Sequence, residues 1–105
     1  MAISFIGSAE NFAISGGDVT LTLPGPPATN DLVIVAYAIG DNDNAALDTA
    51  MLTTGYTEVV DLDNTADTQD VYLGVFWKVM GGTPDTTAQV NGLGGADAAV
   101  AAVCM

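Results

Sequence analysis

Residues 18–23 alternate strictly, with Val19, Leu21 and Leu23 on one side and Asp18, Thr20 and Thr22 on the other, and this predicts a strand with one buried face. Pro24-Gly25-Pro26-Pro27 ends it, because proline gives no amide to a ladder. Residues 32–39 are β-branched and apolar on both faces, the pattern of a central strand covered on both sides. A turn follows at Gly40-Asp41-Asn42-Asp43-Asn44, where Asn44 is placed to cap a short helix carrying Leu47, Ala50 and Met51. Residues 56–60 predict another strand and residues 61–70 an acidic loop. In residues 71–80, Val71, Leu73, Val75, Trp77 and Val79 make one unbroken apolar face, opposed by Tyr72, Gly74, Phe76, Lys78 and Met80. The expected core includes Val75, Trp77 and Val79 of the first set, together with Val19, Leu21, Leu23 and Ile34. Gly81-Gly82-Thr83-Pro84-Asp85 makes the next turn, residues 86–90 a short strand, and Asn91-Gly92 a further turn signal. Residues 98–105 are small and apolar on both faces, and a segment of that kind is expected to lie paired in a sheet or against another subunit.

Short strands punctuated by Gly, Pro, Asn and Asp predict an all-β fold: an antiparallel β-sandwich, jelly-roll-like, with at most one short helix; a small barrel is the structural alternative. The 105 residues fit one domain spanning 1–105.

Charge narrows the partners. Thirteen acids against one cation give a net charge of -12, and the single cation is Lys78. Nucleic acid and anionic membranes are excluded as partners on this ground, since both reward clustered Lys and Arg. Disorder is excluded too, because half the residues are hydrophobic and the mean hydropathy is +0.40. Neither a basic leader nor an apolar run of about 20 residues is present, so a soluble, cytosolic product is expected.

Catalytic chemistry finds few footholds. With no His and no Arg, there is no imidazole base and no guanidinium fork, and Ser8 and Ser15 have no activating partner. Cys104 stands alone among Ala and Val and is expected to act as a small apolar side chain. Two acidic stretches contain oxygen donors of the kind calcium takes: Asp41, Asp43 and Asp48, and Asp61, Asp63, Asp67 and Asp70. Neither has EF-hand spacing, since the glycine position is Ala46 or Ala66 and the last acidic position is Leu52 or Tyr72. Solvated turns account for them better, and no metal, cofactor or catalytic residue is expected. Glycosidase chemistry would require a carboxyl held in an apolar pocket, and these acids lie in wet loops.

The face bearing Tyr72, Phe76 and Met80 remains. Either a second layer of the domain covers it or another subunit does, and Tyr72, Phe76, Lys78 and Met80 are therefore the candidate partner contacts.

The order Asp31-Leu32-Val33-Ile34-Val35-Ala36, Gly55-Tyr56-Thr57, Leu73-Gly74-Val75-Phe76-Trp77-Lys78-Val79, a Gly- and Pro-containing turn, then residues 86–90, resembles small β-sandwich domains of tailed-bacteriophage structural proteins. The resemblance covers about two-thirds of the chain. It implies framework roles for Tyr56 and for Phe76-Trp77-Lys78, and carries over no catalytic residue. It implies a non-enzymatic virion protein, a capsid decoration that forms homo-oligomers and binds the capsid shell, with a carbohydrate- or receptor-binding module of a tail fibre or adhesin as the alternative. Related chains run on past the last strand, so the final strand here is expected to be completed by a neighbour or by further sequence.

Overall fold

The computed structural model describes residues 4–14, 17–41, 49–63, 70–92 and 98–104, with β7 described as backbone. Seven strands appear in the order β1 (Ser8–Ile14), β2 (Val19–Thr22), β3 (Leu32–Asp41), β4 (Thr57–Asp63), β5 (Asp70–Val79), β6 (Thr87–Val90) and β7 (Ala98–Cys104). They form two antiparallel sheets, one ordered β1-β7-β3-β5-β4 and one of β2-β6, so the chain is an all-β, sandwich-like fold with no helix among the described residues. The short helix expected after Asn44 falls largely on residues 42–48, outside the described residues; Ala50 and Met51 are not helical, and Met51 instead bridges Val90.

The small sheet is a lid over the middle of the large one. From above come Val19 and Leu21 of β2, Leu23, and Ala88 and Val90 of β6; from below come Val33, Val35, Tyr37 and Ile39 of β3 with Tyr72, Phe76 and Met80. Residues 50–53 widen the lid by running beside β6, with Leu52 N donating to Gln89 O at 2.8 Å and Asn91 N to Ala50 O at 2.9 Å. At the other side, Asn11 Nδ2 donates to Thr20 O at 2.9 Å and ties β1 to β2.

The Tyr37 and Phe76 rings stack with centroids 5.9 Å apart. They do so above Gly74, which pairs with Tyr37. A side chain at Gly74 would lie 2.8 Å from the Phe76 ring and 2.5 Å from Thr49 Oγ1, so the missing Cβ is the space both neighbours use. Tyr37 then caps the packing through its hydroxyl, which donates to Ala50 O at 3.1 Å and accepts from Ala50 N.

Two expectations are corrected here. The core of β5 is its other face: Tyr72, Phe76 and Met80 are buried, whereas Trp77 is 39 % exposed and Val71, Leu73 and Val79 are exposed as well, with Val75 half-buried. Ile34, also expected in the core, shares the exposed face at 37 %. The physical reason is the pairing to β3, whose larger residues Val33, Val35, Tyr37 and Ile39 face the lid and whose register sets Tyr72 and Phe76 on the same side. Tyr72 and Phe76 fill the space between the layers that aliphatic residues would leave partly empty, and each buried ring removes more apolar area from water. Val19, Leu21 and Leu23 are buried as expected. β1 has no counterpart among the expected strands: Ala9 and Ala13 pack on the core, but Phe12 and Ile14 point outward, so apolar residues fall on both faces. The expected pairing of residues 98–104 is borne out, because β7 lies between β1 and β3 and hydrogen-bonds to both.

Candidate functional site: an uncovered apolar sheet face

The register of the large sheet assembles a grid on its outer side. Leu32 pairs with Val79, Ile34 with Trp77, Ala36 with Val75, Ala38 with Leu73 and Gly40 with Val71. On β4, Thr57 continues the Trp77 row, Val60 the Val75 row and Leu62 the Leu73 row. Across β7, the backbone register brings Phe12 and Ile14 of β1 level with Ala38 and Gly40. Phe12 and Ile14 are among the most exposed apolar side chains, at 67 % and 70 %.

Charge is nearly absent from this side. Strand parity places Glu58 and Asp61 opposite Phe76 and Gly74, on the inner side of β4, and Glu10 is the one charge among the described side chains of the outer face. A protein of net charge -12 thus keeps one sheet face almost neutral. Contiguous apolar area of this kind marks an interaction surface, because monomeric proteins rarely leave it to water.

The candidate contacts named from the sequence separate. Tyr72, Phe76 and Met80 are covered by the domain's own second layer and are unavailable to a partner. Lys78 has the same parity but sits near the end of β5, where its stem leaves the core and its amine is consumed internally. Nζ pairs with Asp85 Oδ2 at 2.6 Å, donates to Thr54 O at 2.9 Å and lies 5.3 Å from the centre of the Tyr56 ring. Gly55 makes room for this clamp: its φ is +86°, and a Cβ there would meet Lys78 Cε at 3.2 Å. The Tyr56 hydroxyl is buried without a partner among the described residues, and burial, reinforced by the Asp85 charge, pushes its pKa from 10.0 to about 12. Lys78 is therefore a structural clamp.

Sequence reasoning missed the outer face itself. One signal was available: in residues 32–40 the larger side chains Val33, Val35, Tyr37 and Ile39 alternate with Ala36, Ala38 and Gly40, which marks the inner parity of β3. Pairing β5 to it would have assigned Trp77 outward.

Of the two acidic stretches, residues 42–48 and 64–69 lie outside the described residues. Asp61 Oδ1 accepts from Thr49 Oγ1 at 2.9 Å, and no cluster of metal-ligating side chains occurs among the described residues.

No protein-family model, curated protein or solved structure matches this chain.

Proposed function

We propose that this chain is a non-enzymatic structural protein of a virion, of the capsid-decoration kind, whose outer sheet face is covered by other subunits in the assembled particle. The observation that carries the reading is the uncovered apolar face, in which Trp77, Ile34, Leu73 and Val79 stand exposed in one grid almost without charge. A face of this type supplies contact energy once subunits meet, and the acids elsewhere keep free subunits apart. The virion assignment rests on the resemblance of the segment order to phage structural domains.

The exposed Trp77, with Thr57 beside it, favours a second reading: a carbohydrate-binding module in which the indole stacks on a sugar. Co-sedimentation with undecorated heads tests the first reading, and a glycan array tests the second. Binding to heads, abolished by Trp77→Glu, supports decoration. A protein that ignores heads and binds a glycan overturns it.

A further inference from the structure

We propose that the occupant of the outer face is a second copy of this chain, applied sheet to sheet about a two-fold axis running along the strands between β3 and β5. This rests on the assembly reading above and deepens it by naming the partner and the mode.

The first argument is relief. On the outer side β5 is a ridge of Val71, Leu73, Val75, Trp77 and Val79, while β3 beside it is a trough at Ala36, Ala38 and Gly40. A two-fold axis between those strands sets each ridge over the partner's trough in both directions at once. Val75 then faces the partner's Ala36, Leu73 the partner's Ala38 and Val71 the partner's Gly40, while Trp77 faces the partner's Ile34. An isologous contact requires this self-complementarity, and stacked sheets accept it at about 10 Å separation with a crossing near -30°.

Area is of the right order. This axis overlays four strands, β7, β3, β5 and β4, which at about 4.8 Å spacing and about 3.3 Å per residue over seven to ten residues make a footprint of about 450 to 650 Å². Standard interfaces bury about 800 Å² per partner and weak ones less. The near-absence of charge means that two identical acidic molecules can meet here with almost no opposing carboxylates.

Edge-to-edge pairing is the competing mode, and β4 is built against it. It has a bulge between Glu58 and Val60, and acids at Glu58, Asp61 and Asp63.

Sedimentation velocity over a concentration series, at high sodium chloride, tests the proposal alongside Trp77 emission. The expected result is a dimer, with Trp77 emission shifting to shorter wavelength as concentration rises. Leu73→Glu should weaken dimerisation by about a hundredfold or more, as an unpaired charge in an apolar contact does. Ala38→Leu, which fills the trough without adding charge, should weaken it as well and serves if Leu73→Glu fails to fold. A dimer indifferent to a folded Leu73→Glu or to Ala38→Leu overturns the proposal. So does a monomer with unchanged Trp77 emission at every concentration; if that monomer still binds undecorated heads, the virion reading stands and only the second-copy occupant falls.

Discussion

Tyr56 holds a phenol where its ring is useful and its hydroxyl is not. The ring lies beside the Lys78 ammonium, while the oxygen is buried without a partner among the described residues. Because burial raises the folded pKa to about 12 from 10.0, the unfolded chain ionises first. The contribution to stability is complete below pH 10 and is lost as pH rises towards about 12. Tyr56→Phe keeps the ring and removes the orphan oxygen. Urea melts should show the variant at least as stable as the parent at neutral pH, with a widening advantage between pH 10 and 12. Gly74 gives the opposite case. Its missing side chain is the space occupied by the Phe76 ring and Thr49, so Gly74→Ala should destabilise by about 1 to 3 kcal/mol in the same assay.

At the level of elements, strand positions other than β1 were legible, and so was the buried face of β2, but that of β5 was not. The alternation of residues 18–23 has only one solution, and β2 buries Val19 and Leu21 accordingly. β5 is apolar on both faces, so periodicity marks a strand without choosing its inside, and the unbroken run of Trp77 with four aliphatic residues made that face look like the core. Only the pairing to β3, a tertiary fact, decides it. The same ambiguity reached the candidate contacts: the exposed apolar residues of β5 are those paired with Ala36 and Ala38, while Tyr72 and Phe76 are buried. β1 was hidden because Phe12 and Ile14 face outward, where an isolated domain would carry polar residues. The β4 edge adds a prediction of its own. Glu58→Val removes a charge that blunts an exposed edge, and dye-binding aggregation assays should show faster fibril-like association than the parent chain.

For the whole molecule, the net charge of -12 and the nearly uncharged sheet face act in opposite directions on association. Repulsion between copies is long-ranged and screened by salt, whereas apolar contact is short-ranged. The association constant should therefore rise between about 0.05 M and about 0.5 M sodium chloride, as the screening length falls from well above to below about 10 Å. Sedimentation equilibrium at each salt concentration measures it, and an association that weakens with salt would assign the contact to charged groups. Sodium chloride is preferable to sulfate here, because excluded kosmotropes strengthen apolar burial by a separate route.

The lone cation also makes this chain its own unfolding gauge. Trypsin cuts after Lys or Arg, and Lys78 is the one such residue in the sequence. Its peptide lies within β5, laddered to Val33 of β3 on one side and next to the β4 pairing on the other. A protease needs that backbone pulled free of the sheet, which demands opening of the central strands. Digestion should therefore yield two fragments and no ladder of intermediates, at a rate proportional to the fraction of molecules globally open when cleavage is slow. Gly74→Ala should accelerate that single cut by the factor its urea melt predicts, and mass spectrometry of the digest reads both.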